Sequence, residues 1–534
     1  MTPDTFARDN LPPREQWPDL LEAGLGYPAR LNATAELLDR HTDRSRRCLL
    51  SPDTSWSYVE TAERVERIAS VLTRRLGMIP GNRVLLRAPN SPLLAAAILA
   101  VIRAGGIAVP TMSMLRAGEL RKIIDKARIG LALCDHRLTG ALADFSDVRT
   151  VAMGSDGADD LTAMMAQAPL PCPAADTAAD DVCLIAFTSG TTGEPKGTMH
   201  FHRDLLAVCD TYGAHVLRPR PDDLFVGSPP LAFTFGLGGL LLFPLRVGAA
   251  TLLLEQASPE HLLAAFRTQR PSVCFTAPTA FRAMLGQMQP GDVDALRACV
   301  SAGEALPKSV WEAWHARTGI RILDGIGSTE MLHIFIGSPE EAIRPGATGL
   351  PVPGYEAKLI DGEGRTLPRG SEGRLAVRGP TGCRYLADAR QTVYVEAGWN
   401  VTGDTYFQDG DGYFWFRARS DDMIVSSGYN IAGPEVEAAL LGHASVAECA
   451  VVAAPDAARG HVPRAFVVPR PGITGSDALA HALQEHVKAE IAPYKYPRVV
   501  SFVERLPRTE SGKLQRFALR AQAEEEAGLP GAPG

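Results

Sequence analysis

The sequence predicts a multidomain protein of mixed α/β and α+β class. A large N-terminal domain of two doubly wound α/β subdomains and a small β-barrel precedes a small α+β C-terminal domain. Three observations predict this. The chain has 534 residues, too long for one ordinary domain. From about residue 83, short apolar runs of strand length alternate with helical patterns, as in parallel βαβ units. After Gly346 the alternation yields to Gly-rich turns between short runs, and near Ser420 the pattern changes again.

Each element follows in order. Residues up to about Leu37 are rich in Pro and charge and read as a wrapping arm. Residues 83–89 read as a strand, 92–103 as a helix, 107–112 as a strand, 115–127 as a helix and 131–135 as a strand. Residues 154–181, rich in Ala, Asp and Pro, read as a surface connection. Residues 182–187 are a buried strand, and 224–228, 251–254, 272–277 and 297–301 are strands of a second wound layer. Residues 355–360, 373–378 and 413–417 suit a small antiparallel barrel. The last unit has a helix entered at Pro434-Glu435, strands 447–453 and 464–468, a helix 477–491 and a strand 498–503. Residues 524–534 read as a frayed tail. The resulting division is 1–420 and 421–534.

Composition narrows the classes. The chain is 46% hydrophobic and 22% charged, as soluble globular proteins are. A net charge of −7 argues against a nucleic-acid or anionic-membrane binder. Nine scattered cysteines with no CxxC pair read as buried free thiols in a reducing compartment, and no zinc site is suggested. The first residues are polar, unlike a signal peptide. The longest apolar runs, 92–102 and 237–245, are core helices rather than membrane spans. The expected location is the cytoplasm.

Residues 187–197 read FTSGTTGEPKG. Glycines at 190, 193 and 197 let backbone N–H groups approach an anion, and hydroxyls at Thr188, Ser189, Thr191 and Thr192 add adjustable donors. Lys196 supplies a cation. In isolation a glycine turn between a strand and a helix is only a solvated connection. The hydroxyl pattern beside a buried strand points to nucleotide phosphates. It is not the ordinary P-loop, because Pro195 precedes the Lys and Gly197 follows it.

Five further segments complete a pattern. They are Asp324-Gly325-Ile326-Gly327-Ser328-Thr329-Glu330, Ser301-Ala302-Gly303-Glu304-Ala305-Leu306-Pro307, Thr402-Gly403-Asp404, Arg417-Ala418-Arg419-Ser420-Asp421-Asp422 with Ser427-Gly428-Tyr429-Asn430, and Pro507 to Arg516 around Lys513. Together with the loop they resemble the acyl-adenylating superfamily of acyl-CoA synthetases, luciferases and peptide-synthetase adenylation domains, over residues 50–520. The resemblance implies ATP, Mg²⁺ and coenzyme A as cofactors. It implies phosphate binding by Thr188, Ser189, Gly190, Thr191, Thr192, Gly193 and Lys196, and contacts to phosphate and Mg²⁺ by Thr329 and Glu330. Gly303, Glu304 and Ala305, with Asp324, Gly325 and Ile326, would line the adenine. Ile326 departs from the family's usual Tyr. Asp404 and Arg419 would bind the ribose, Asp421 would be the hinge of a mobile C-terminal domain, and Gly428 would line the pantetheine channel. Thr188, Glu330 and Lys513 are the candidate catalytic residues.

The acid is read from two segments. Phe233, Thr234 and Phe235 lie in an aromatic, glycine-rich run shaped for a flat ring. Residues 325–335, GIGSTEMLHIF, resemble the benzoate-CoA ligase branch, where His333 and Ile334 would line the aryl site with Ala302 and Gly327. The opening residues 4–18 and 27–32 resemble 2-aminobenzoate-CoA ligases of that branch. The expected activity is therefore ATP-dependent joining of an aromatic acid, 2-aminobenzoate or benzoate, to CoA. The expected partners are small molecules, and a homodimer is an assembly the sequence allows. The alternatives are a relative acting on another aryl or short acyl acid, or one loading a carrier protein. A peptide-synthetase domain would place an Asp within 233–235, and none is there. A non-catalytic relative would lack Glu330 or Lys513, and both are present.

Overall fold

The structure is a computed structural model that describes residues 2–188, 194–419, 422–426, 429–456, 460–491, 493–508 and 514–526. Ser189, Gly190, Thr191, Thr192, Gly193, Asp421, Gly428 and Lys513 lie outside the described residues. The chain divides into two compact units. The larger holds residues 1–357 and 376–401, and the smaller holds 358–375 and 402–534.

Local sequence accounts for the elements that hold the larger unit together. Helix Pro92–Arg103 starts where the Ser91 side chain accepts from Leu94 N–H and Pro occupies the first turn. Its Ala- and Leu-rich face is apolar all round, so it is buried between other elements. Helix Tyr58–Ser70 opens on a capping box between Ser57 and Glu60. Among the described residues one sheet has six strands, in the order Arg149–Met153, Leu131–Asp135, Arg83–Arg87, Ile107–Thr111, Val182–Thr188 and Lys196–Phe201. Its pairings are parallel except the last, which is antiparallel.

A second sheet of nine strands has a parallel centre, Ile322–Gly327, Ala298–Ser301, Val273–Thr276, Leu224–Gly227, Ala250–Leu252 and Arg47–Ser51. Antiparallel strands cap both edges. The two wound layers expected from the alternation are therefore present. Among the described residues a further sheet of five strands stands where a small antiparallel barrel is expected, with Phe414–Arg419 antiparallel to Trp399–Gln408. The C-terminal α+β part has a five-stranded sheet with helices Gly433–Leu441, Asp477–Glu490 and Arg516–Glu526.

Thr188 and Lys196, on either side of the glycine segment, are antiparallel partners. Two readings need correction. Residues 154–181 are not only a surface connection, since helix Leu161–Ala166 buries Leu161, Met164 and Met165. The tail does not fray at 524. Helix Arg516–Glu526 buries Leu519 and Ala523, and Arg464 binds Glu526. All nine cysteines are buried, and none forms a disulfide. Among the described residues no helix is long and apolar enough to cross a membrane.

Candidate active site

In the larger unit the site segments collect at the carboxyl ends of parallel strands, where α/β sheets place ligands. Ser301 and Asp324 are register partners on adjacent strands. The turn 302–305 therefore leaves the sheet beside Asp324. Ala302 is buried, while Gly303 and Ala305 are exposed and Glu304 half-buried. Gly303 has φ +91°, a left-handed conformation that suits glycine, and no atom lies within 4 Å of where its Cβ would be. Asp324 lines a small pocket with Leu306, Trp311, Ser338 and Thr348. Its Oδ1 is buried without a hydrogen-bond partner among the described residues, and burial holds its carboxyl well above the ordinary range.

Strand Ile322–Gly327 pairs antiparallel with Ile334–Gly337, and the register slips between Ile326 and Gly327. The Gly327 backbone passes so close that a Cβ would lie 2.7 Å from the His333 carbonyl. Thr329 and Glu330 occupy the turn between these strands. Glu330 is 6% exposed, and its Oε1 accepts from the Tyr385 hydroxyl at 2.5 Å. Lys196 Nζ is 3.8 Å from the same oxygen. Thr188 ends its strand opposite Lys196, and its buried hydroxyl has no partner among the described residues. The structure thus brings Thr188, Lys196 and Glu330 into one region. Glu194 at the described end of the loop is held by Lys122 at 2.9 Å, and its carbonyl accepts from Arg390 at 3.2 Å.

Among the described residues no cluster of three or more His, Cys, Asp or Glu could hold a metal by itself. Mg²⁺ on a nucleotide takes one or two carboxylates together with phosphate oxygens. Glu330, with a neutral hydroxyl and a more distant ammonium on Oε1 among the described residues, fits that demand, and Thr329 stands beside it.

Behind this turn lies a buried polar network that the sequence does not announce. His200 donates from Nε2 to the Thr329 carbonyl at 2.9 Å. Its Nδ1 stands 3.8 Å from Asp204 Oδ2. Arg384 binds Asp204, and the side chains of both are fully buried. Burial works to raise the Asp204 pKa, but Arg384 and His200 outweigh it and hold the carboxyl below its ordinary value. The Arg384 guanidinium also lies 3.9 Å from the centre of the Phe201 ring.

The aryl-site candidates form the opposite kind of environment. His333 is 2% exposed and lies among Tyr212, Phe235, Phe243 and Phe275, with ring centres 4.6–6.4 Å away. Neither ring nitrogen has a partner among the described residues. Burial pushes its pKa down to about 3. Thr234 is buried on helix Thr234–Leu237, and Phe233 and Phe235 are half-buried. This helix continues through a wider π-turn, Gly238–Leu242. A Cβ on Gly238 would lie 2.3 Å from the His333 ring, and one on Gly239 2.4 Å from Phe275. Glycine is what lets the helix approach the cage so closely. Ile334 is buried and packs over Gly325.

In the smaller unit, Asp404 and Arg419 are antiparallel register partners, with Arg419 Nη1 3.6 Å from Asp404 Oδ1. The two ribose candidates are therefore adjacent. Sequence reasoning missed Tyr385, His200, Asp204 and Arg384, and the cage members Tyr212, Phe243 and Phe275. The available signal was slight: one Arg amid Cys383, Tyr385 and Leu386, and a His–Asp pair four residues apart after Lys196.

Comparison with known proteins places the chain in a family. Residues 38–385 match the AMP-binding enzyme family, and 435–513 match the AMP-binding enzyme C-terminal domain. The chain is 37% identical to a benzoate–CoA ligase of Thauera aromatica over 509 residues, covering 92% of this chain and 96% of the relative. It is 34% identical to a 4-hydroxybenzoate–CoA/benzoate–CoA ligase of Rhodopseudomonas palustris, covering 92% and 94%. The fold is similar to the crystal structure of the anthranilate CoA ligase AuaEII in complex with anthranoyl-AMP. The TM-score is 0.90 at 34% identity, covering 95% of this chain and 100% of that one. It is also similar to a benzoate CoA ligase from Burkholderia xenovorans, with TM-score 0.84 at 33% identity, covering 92% and 100%. The chain belongs to the AMP-binding enzymes.

Proposed function

We propose that this AMP-binding enzyme is an AMP-forming aryl-CoA ligase whose preferred acid is 2-aminobenzoate, with benzoate as a second substrate. The observation that carries the reading is a juxtaposition on one short turn. Glu330, held by Tyr385 and near Lys196, suits a metal–polyphosphate, and His333, three residues on, sits in an aromatic cage. The relatives act on benzoate or 4-hydroxybenzoate, and one similar structure holds anthranoyl-AMP. The arm sequence, 4–18 and 27–32, favours the 2-amino acid.

The reaction has two steps. An aryl carboxylate oxygen attacks the α-phosphorus of ATP and the bond to the β-phosphate bridging oxygen breaks, leaving aryl-AMP and pyrophosphate. The CoA thiolate sulfur then attacks the acyl carbon, and AMP leaves with the electron pair of the broken C–O bond. Thr188, Lys196 and the loop residues 189–193 hold phosphates, and Thr329 and Glu330 face the metal-bound phosphates. When bound, Mg²⁺ supplies charge neutralisation on the phosphates. Asp404 and Arg419 take the ribose diol, and Gly303 to Ala305 with Asp324 take the adenine. Lys513 assists the first step by bridging carboxylate and α-phosphate, neutralising charge as it develops. Residues 421–534 turn about Asp421 between steps, and Gly428 lines the way for pantetheine. This reading takes the enzyme to work in the cytoplasm.

The test is AMP release with ATP, Mg²⁺ and CoA for 2-aminobenzoate, benzoate, salicylate, phenylacetate and a fatty acid. The expected order puts 2-aminobenzoate first and benzoate within about 200-fold, since one small ring substituent is worth about 1–3 kcal/mol. Preference for the fatty acid would sink the aryl assignment.

A further inference from the structure

In the larger unit, residues 383–386 run alongside strand Lys196–Phe201. Met199 N–H donates to the Arg384 carbonyl and Leu386 N–H to the Gly197 carbonyl, each at 2.8 Å, and Thr198 and Tyr385 are bridge partners. Side chains alternate along extended backbone, so Arg384 and Tyr385 leave it on opposite sides. Arg384 reaches Asp204, which His200 faces, and His200 holds the Thr329 carbonyl. Tyr385 reaches the next residue, Glu330, and donates to Oε1 at 2.5 Å. Tyr385 is 1% exposed. Its ring centre lies 5.2 Å from Lys196 Nζ, the cation that approaches the same oxygen. Two consecutive residues thus hold two consecutive residues of the site, one through a relay to backbone and one directly by a side-chain bond.

We propose that Tyr385 is a positioning residue for the adenylation step, its hydroxyl fixing Oε1 of Glu330 so that the carboxylate meets the metal–nucleotide complex in one orientation. The inference rests on the assignment of Glu330 to MgATP. Without the hydroxyl, Lys196 is the remaining partner near Oε1 among the described residues. An ammonium drawn onto that oxygen competes with the cation on the nucleotide for the same charge.

The variant Tyr385→Phe removes the hydroxyl and keeps the ring beside Lys196. Binding of MgATP and of aryl-AMP to the full chain is measured by calorimetry for wild type, Y385F, E330Q and the double variant. Aryl-AMP lacks the β- and γ-phosphates, so it reports the integrity of the rest of the site. Y385F is expected to weaken MgATP about tenfold, the worth of a hydrogen bond to a charged group. It should leave aryl-AMP within about twofold, and should add nothing to E330Q, as coupled residues do in a double-mutant cycle. Three results overturn the proposal: wild-type MgATP binding by Y385F while E330Q is impaired, equal loss of both ligands, or additive losses in the double variant. Wild-type MgATP binding by E330Q instead removes the Glu330 assignment, and the role of Tyr385 goes with it.

Discussion

His200 and His333 are both buried in the larger unit, at 0% and 2% exposure, and His200 bonds to the turn 329–330 while His333 follows it by three residues. Their surroundings are opposite. His200 belongs to a polar chain running from Arg384 through Asp204 to the Thr329 carbonyl. His333 stands among aromatic rings with both nitrogens unpartnered within the described residues. The first region spends buried charge on fixing a backbone position. The second leaves a polar edge unsatisfied inside an apolar shell, an arrangement that costs stability and suits a group meant to meet a ligand.

The comparison can be broken hardest at Arg384. Arg384→Met strips Asp204 of its cation in a site with no water access, and should cost about 3–5 kcal/mol in urea unfolding, as other broken buried pairs do. A loss below about 1 kcal/mol, the range of exposed pairs, would show that the network does not hold the turn.

Acid probes the buried neutral rings next. Burial holds His333 and His202 at about 3, below the ordinary value of about 6.5. His202 Nδ1 accepts from Ala33 N–H, which a neutral ring permits. The native rings stay neutral while the unfolded chain takes up their protons. Stability from these residues is therefore whole above pH 6.5 and falls as pH drops toward 3, at about 1.4 kcal/mol per unit for each ring. By pH 5 the two together should remove about 4 kcal/mol, and His333→Phe should restore about half of that. Unfolding curves at neutral pH and pH 5 measure the difference. Equal acid losses in wild type and variant would contradict the buried neutral state of His333.

The smallest effect is at neutral pH. His200→Phe removes one hydrogen bond to a backbone carbonyl and should cost about 1 kcal/mol. His333→Phe removes none and should stay within about 0.5 kcal/mol of wild type or exceed it. The paired thermal unfolding curves should separate in that order, and reversed order would mean that His333 has a partner in solution.

Much of the fold was legible because its signals are local. Ser91-Pro92 marks the start of a helix by side-chain capping and by the fixed φ of proline. Strand Leu131–Asp135 is an apolar run of strand length and was read to its boundaries. The tail was misread because Gln522 to Glu526 looks solvated, whereas Leu519 and Ala523 share a buried face and Arg464 takes Glu526. Residues 154–181 were misread because Ala, Asp and Pro hide a short amphipathic helix capped by Asp160. The site divides the same way. Lys196, Thr329 and Glu330 sit in short motifs whose resemblance to the family nominates them as site residues. Tyr385 is 55 residues from Glu330, and Arg384 is 180 from Asp204.

By itself, then, the sequence determined the wound layers and the kind of reaction, and it nominated the glycine loop and the acid at 330 as candidates. Periodicity, capping and loop chemistry act over a few residues and leave their mark in order along the chain. Only the tertiary structure decided which groups hold that acid and which rings enclose His333. A buried hydrogen bond or aromatic contact is selected by proximity in space, and proximity across 55 or 180 residues has no local signature.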